Sequence, residues 1–124
     1  MIDTNAYSSY MRGESDAAEL IAHADEILVP TPVLGELRTG FRAGTRESEN
    51  LKLLERFLST PRVAVHPLGE VTAIYYAELH GALRAAGTPI PTNDLWIAAA
   101  ALESGSILMS ADSHFDAIVG LVRR

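Results

Sequence analysis

The sequence predicts an α/β three-layer sandwich, with a central, mostly parallel sheet of four to five strands flanked by helices. Two observations carry that expectation. Short apolar runs of the kind that form buried strands alternate with longer stretches of helical periodicity, and this alternation builds parallel sheets covered on both faces. The chain has 124 residues, without repeats or a linker, so a single domain over 1–124 is expected around one core.

Each element has a local reason. Ile2 starts a very short strand, and Thr4-Asn5 open a helix that runs to about Met11 and stops at Gly13. Ser15 is placed to cap a second helix carrying Ala18, Leu20, Ile21 and Ala22. Glu26-Ile27-Leu28-Val29 reads as a buried strand stopped by Pro30. Thr31 is a good N-cap, and Pro32 suits the first helical position because its missing N–H has no intrahelical partner there. That helix runs through about Phe41 and frays at Gly44. Thr45 can cap the next, which carries Leu51, Leu53, Leu54, Phe57 and Leu58 and ends at Pro61.

Val63-Ala64-Val65 is the third strand. A long helix from Glu70 to Ala86 places Val71, Ile74, Tyr75, Leu79 and Leu83 at helical spacing, with Gly87 as its stop. Thr88-Pro89-Ile90-Pro91 is a stiff connector. The helix from Asp94 to about Glu103 is apolar on nearly every side, so it should be buried, with Trp96 in the core. Ile107-Leu108-Met109 is the fourth strand. Residues 113–117 form a short helix, and Ile118 to Val122 supply a fifth strand.

Composition excludes several chemistries. With no cysteine, there are no disulfides, zinc–thiolate sites or thiol nucleophiles, which is compatible with a reducing cytoplasm. No apolar run approaches the roughly 18 residues of a membrane span. The first residues lack the basic and apolar regions of a signal peptide, so a cytoplasmic location without membrane contact is expected. The net charge of −6 argues against a nucleic-acid partner. Its distribution softens this, because Arg38, Arg42, Arg46, Lys52, Arg56 and Arg62 are six of the ten basic residues. Arg38, Arg42 and Arg46 are four apart and share a side wherever the helix continues. That side is either a solvated face or a surface for RNA phosphates.

Four carboxylates stand where a parallel sheet would bring them together. Asp3 ends the first apolar run and Asp112 the last; Glu36 and Asp94 lie in the first turns of helices. In parallel sheets, ligands bind beyond the strand carboxyl ends where strand order reverses. Two carboxylates about 4 Å apart repel by roughly 4 kcal/mol at an effective dielectric near 20, so a cluster of four calls for a divalent cation. Each also has a plain structural role open to it. Asp3 and Asp112 suit helix caps, Asp94 complements a helix dipole, and Glu36 can lie on a solvated face. Ser110 has no Ser-His-Asp arrangement around it and reads as a hydrogen-bonding group, not a nucleophile. His114 reads as a loop histidine or a phosphate contact, and His23, His66 and His80 lack metal-ligand spacing.

The segments Ile2-Asp3-Thr4-Asn5, Pro32-Val33-Leu34-Gly35-Glu36-Leu37, Asn93-Asp94-Leu95-Trp96-Ile97-Ala98-Ala99 and Ser110-Ala111-Asp112-Ser113-His114-Phe115 occur in this order across the chain. In order and spacing the chain resembles the PIN-domain ribonucleases, most closely the small VapC-type toxins of bacterial toxin–antitoxin pairs. The resemblance implies a PIN-like sandwich in which Asp3, Glu36, Asp94 and Asp112 hold Mg²⁺ or Mn²⁺. Asn5 and Ser110 then support the ligands or contact phosphate. It further implies hydrolysis of structured RNA such as transfer or ribosomal RNA, a homodimer, and silencing by a cognate antitoxin. Two departures stand out. Only Met1 and Ile2 precede Asp3, where family members usually have several apolar residues. His114 occupies a site that is often acidic, and Asp116 is the nearest acidic residue.

Rival readings draw on the same residues. A PIN-like binding module with weak or no catalysis shares every segment. A receiver-type signalling domain shares the topology, but it needs adjacent acidic residues after strand one and a late lysine, and none follows Lys52. A haloacid-dehalogenase phosphatase needs a second aspartate where this chain has Asn5.

Overall fold

Residues 1–124 are described by a computed structural model. The order is α1 (Thr4–Met11), α2 (Ser15–His23), β1 (Ile27–Pro30), α3 (Thr31–Ala43), α4 (Glu47–Leu58), β2 (Val63–His66), α5 (Glu70–Ala85) and α6 (Thr92–Ser104), then a 3₁₀ turn at Ser113–Ala117. No helix is long and apolar enough to cross a membrane.

The sheet is parallel, and narrower than expected. β1 pairs with β2 from Ile27↔Val63 to Pro30↔His66. Beyond β1 the ladder continues through single bridges, Ile2↔Met109 and Leu108↔Arg123, both parallel. Ile2 N–H donates to Leu28 O at 3.1 Å, Asp3 N–H to Met109 O at 3.3 Å and Leu108 N–H to Val122 O at 2.8 Å. The expected four to five full strands are therefore two strands plus three bridge-length segments. Segment 1–3 cannot lengthen because α1 starts at Thr4. The stretch expected as a fifth strand turns away through Gly120 at φ 86°, with Val119 95% exposed, and pairing begins only at Val122.

The order in space is β2, β1, 1–3, 108–110, 122–124. It steps backward through the sequence to residue 1, then jumps to residue 108. Strand order thus reverses between Asp3 and Ser110, where a doubly wound sheet opens its crevice.

Packing follows apolarity, with instructive exceptions. α6 is buried as its composition requires: Ala98, Ala99, Ala100 and Ala101 are each 0% exposed, and their small side chains let neighbouring elements approach closely. Gly105, at φ 66°, ends α6 in the left-handed conformation that glycine tolerates without strain. α5 is rotated from the face its apolar residues predict. Thr72, Leu79 and Leu83 are buried, whereas Val71 and Ile74 are 53% and 56% exposed. Thr72 wins the inner position because its hydroxyl has two partners there. It accepts Gly69 N–H at 2.9 Å and donates to Glu103 at 2.6 Å, and Glu103 lies 3.0 Å from His66. Trp96, expected in the core, is half-buried and stacks on Tyr76 with centroids 4.0 Å apart.

Three expected side-chain caps do not form. Glu14, Pro30 and Arg46, not Ser15, Thr31 and Thr45, hold the N-cap positions of α2, α3 and α4, with no side-chain cap bond. The basic stretch is also divided. α3 ends at Ala43, so Arg46 does not share a face with Arg38 and Arg42; it pairs with Glu49 at the start of α4. Arg62 is tied to the end of α2, donating to Ala24 O at 2.8 Å and to Ile21 O.

Candidate active site

Each of the four carboxylates is delivered by a different stretch of chain. Asp3 closes segment 1–3 and is the N-cap of α1; Ala6 N–H donates to its Oδ1 at 2.8 Å. Asp112 follows segment 108–110 and is the N-cap of the 3₁₀ turn; His114 N–H donates to its Oδ1 at 2.9 Å. Asp94 lies in the first turn of α6, and Glu36 in the second turn of α3, just beyond β1. Both structural roles anticipated for Asp3 and Asp112 as caps are thus real. A cap bond uses one lone pair of a group that has about four acceptor sites, so it does not remove the carboxylate from other work.

The electrostatics record convergence. Burial pushes the Asp94 carboxyl above its ordinary range, and the charges of Asp112 and Glu36, with a smaller contribution from Asp3, push it further. His114 pulls the other way. Asp94 accepts no hydrogen bond that would relieve this crowding. Asp3 is 5% exposed and is raised chiefly by burial. Hydrogen bonds from Ser110 and the Ala6 backbone oppose the rise, and the charge of Asp112 adds to it.

Ser110 ties the two sides together. It is 3% exposed, accepts Asp112 N–H on Oγ at 3.0 Å and stands beside the Asp3 carboxylate, whose rise it opposes. This is the hydrogen-bonding role expected of it. Asn5 is exposed two residues after Asp3 and, with Ser110, borders a cleft of about 780 Å³ that runs along α1 and α2 past Leu20 and His23. The cleft lies beside the acidic group, since none of the four carboxylates lines it.

One oxygen each of Asp94 and Asp112 and one ring nitrogen of His114 lie within 4.8 Å of one another. His114 is itself 3.2 Å from Asp112 Oδ1 through Nδ1. Opposite ligands of an octahedral magnesium are about 4.2 Å apart, so small torsional adjustments close the gap. Carboxylate oxygens suit hard cations such as Mg²⁺ and Mn²⁺. Beside Asp3, the Thr4 hydroxyl is buried with no hydrogen-bond partner. The residues present therefore fit a divalent cation.

Asp116 stands apart. Its carboxylate is held by Arg123 through Nε at 2.7 Å and Nη2 at 2.9 Å, which lowers its pKa. Sequence reasoning missed Arg123. Its Nη1 donates to Ser110 O at 2.9 Å, so one guanidinium clips both ends of the loop that carries Asp112 and His114. Arg38 and Arg42 are exposed on α3, the helix that carries Glu36.

Known proteins share this arrangement of chain. Over 98% of its length the chain is 29% identical to ribonuclease VapC2 of Rickettsia felis, covering 93% of that protein. It is 34% identical to ribonuclease VapC4 of Mycobacterium tuberculosis over 73% of this chain and 69% of the relative. The crystal structure of VapBC2 from Rickettsia felis, bound to a DNA fragment from its promoter, matches all of this chain and 96% of the other at a TM-score of 0.86 and 28% identity. The family model for the PIN domain matches residues 1–121, spanning Asp3, Glu36, Asp94 and Asp112, and the chain belongs to the PIN-domain family.

Proposed function

We propose that this chain is a divalent-metal-dependent endoribonuclease, the toxin of a VapBC-type toxin–antitoxin pair, folded as one PIN-like domain over 1–124. Two ribonuclease relatives and a VapBC complex of the same fold support the reading. In it, the bridge-length segments are the three short remaining strands of a five-stranded sheet. The protein works in the cytoplasm on structured RNA such as transfer or ribosomal RNA, forms a homodimer, and is held inactive by its antitoxin. The observation that carries the proposal is the crowding at Asp94, whose carboxyl is pushed upward by burial and further by three other carboxylates from separate parts of the chain, with an Asp112 oxygen within 4.8 Å. A resting fold gains nothing from that crowding, whereas a cation site requires it.

Asp94, Asp112, Asp3 and Glu36 would hold Mg²⁺ or Mn²⁺, with His114 at the rim. When bound, the metal lowers the pKa of a water and offsets charge on the transferring phosphoryl group. The chain's own residues supply the rest. The cap bonds fix the Asp3 and Asp112 rotamers in advance, so little side-chain entropy is lost on ligation. Ser110 keeps Asp112 and Asp3 in register across the switch point. Asn5 and His114 stand at the edge to meet phosphate oxygens, and Arg38 and Arg42 extend the contact along α3. In-line hydrolysis leaves a 5′ phosphate and a 3′ hydroxyl.

The test is cleavage of RNA by purified, antitoxin-free protein. Asp3→Asn and Asp94→Asn should reduce turnover to background with the circular-dichroism spectrum unchanged. EDTA should stop the reaction, and Mg²⁺ or Mn²⁺ should restore it. Wild-type turnover by either variant refutes the assignment. RNA binding without cleavage under any metal favours the catalytically inactive binding module instead.

A further inference from the structure

We infer that the cleft between α5 and the start of α6 is a nucleobase subsite, which stacks a single-stranded nucleotide flanking the cut on His80 and holds its phosphate with Arg84. The inference rests on the nuclease reading for the identity of the strand, and its test is separable from that reading.

Tyr76, His80 and Arg84 are four apart on α5 and form one stripe. Their rings continue a stack that begins on α6. Trp96 and Tyr76 lie 4.0 Å apart at 26°, and Tyr76 and His80 lie 6.2 Å apart at 25°. Trp96 and Tyr76 are half-buried, and their contact is ordinary helix–helix packing. That packing explains neither His80 nor Arg84. His80 is an exposed ring at the open end of the stack, and it makes no hydrogen bond within the protein. Arg84 is exposed and has no acidic partner, although acidic residues outnumber basic ones by sixteen to ten in this chain.

The two residues border a cleft of about 350 Å³, with Leu83 and Leu95 in its floor and Thr92 on its far wall. An apolar floor, a ring edge, a hydroxyl and an unpaired guanidinium suit a flat heteroaromatic group carrying a phosphate. A protein segment would use the floor but has no need of a stacked imidazole or a free cation.

The position suits a strand passing the acidic group. Thr92 and Trp96 are each two residues from Asp94, about 200° around α6, so the cleft side of the helix faces away from the carboxylates. A helix is about 10–12 Å thick with its side chains, so an RNA crossing the start of α6 reaches both sides within a short span. Every base has a π-face, so the subsite holds a flanking base with little sequence preference.

The probe is a single-stranded RNA oligonucleotide with 2-aminopurine moved one position at a time, titrated into the Asp94→Asn protein, which does not cut it. Stacking quenches the fluorophore, so one position near the cut should be quenched. His80→Ala should abolish that quench and weaken binding about tenfold, and His80→Phe should restore both. Arg84→Ala should leave the quench and lower the slope of binding against salt by about 0.7. A quench indifferent to His80→Ala at every position overturns the subsite, as does failure of His80→Phe to restore it. Unchanged RNA binding by His80→Ala together with weakened self-association also overturns it, since the cleft is then a protein contact. Cleavage by the wild-type chain is measured on the same oligonucleotides and on transfer and ribosomal RNA, and counts as absent only when none of them is cut. Absent cleavage with a His80-dependent quench supports the subsite and removes the nuclease. Cleavage with a His80-independent quench removes the subsite alone.

Discussion

Removing the charge of Asp94 should stabilise the metal-free protein while abolishing its activity. Asp94 and Asp112 oxygens lie within 4.8 Å, and at an effective dielectric near 20 that separation gives a repulsion of about 3.5 kcal/mol. Both residues are partly open to solvent, which screens the interaction toward its aqueous limit of about 1 kcal/mol. His114 offsets a further part. Asp94→Asn is isosteric and forfeits no hydrogen bond, because Asp94 accepts none. A net gain of about 1 kcal/mol near neutral pH is expected, or roughly 3–6 °C in Tm for a chain of this size.

The pH dependence has a definite sign. The folded carboxyl holds its proton to higher pH than the unfolded one. Its penalty is therefore absent below the unfolded value of about 3.9, grows as pH rises through the raised folded value, and is complete above it. Thermal melts of both proteins in EDTA across that range measure the difference. Adding Mg²⁺ should invert the ranking, since only the wild type gains the binding term, about 2.7 kcal/mol at a hundredfold excess over Kd. An Asp94→Asn protein that melts lower in EDTA, or that gains as much as wild type from Mg²⁺, would refute the idea of a strained acidic cluster relieved by a cation.

Other consequences are open to the same treatment. Phe115 is 1% exposed and anchors the 3₁₀ turn after Asp112, so Phe115→Ala should cost about 3–5 kcal/mol in urea unfolding, with little change if the turn packs loosely. Arg123→Ala should speed hydrogen exchange across 111–116 and lower kcat with RNA KM retained; a pure KM effect would make Arg123 a substrate contact instead. Replacing Arg38 and Arg42 together by Gln should reduce the salt slope of single-stranded RNA binding by about 1.4, whereas Arg46→Gln, already paired with Glu49, should barely move it.

Much of this fold is legible because its cues are local and redundant. Pro30-Thr31-Pro32 marks a strand end and a helix start in three residues, and the run Ala98–Ala101 announces a helix with no polar face. The errors fall where a distant polar partner decides. Apolar periodicity puts Val71 and Ile74 inside, yet Thr72 holds that position because Gly69 and Glu103 satisfy its hydroxyl, and Glu103 is 31 residues away. Arg123 carries no local signal, since its partners lie seven and thirteen residues back. The strand lengths differ from expectation for a related reason. A segment such as Met1–Asp3 is assigned by apolar content, while its length as a strand is set by where α1 takes over its backbone.

The acidic residues show why the sequence offers cap and ligand as alternatives when the molecule needs both. A carboxylate that is to meet a cation must be held before the cation arrives; otherwise ordering a free side chain erodes the binding energy. At a strand-to-helix junction the first free N–H groups of the helix supply that restraint. Asp3 takes Ala6 N–H and Asp112 takes His114 N–H, each through Oδ1. The same junctions sit on either side of the strand-order reversal, so the restraint and the convergence come from one feature of the fold. Asp94 has no such restraint; burial drives its carboxyl upward, and the charges of three neighbouring carboxylates, against one for Asp3, drive it further. Asn at 94 therefore relieves repulsion at no structural cost, whereas Asn at 3 must still accept Ala6 N–H through its amide oxygen and turn its amide nitrogen elsewhere. Asp3→Asn should accordingly gain less stability than Asp94→Asn in EDTA while losing activity equally. Equal gains would mean that the cap at Asp3 contributes nothing to holding its carboxylate in place.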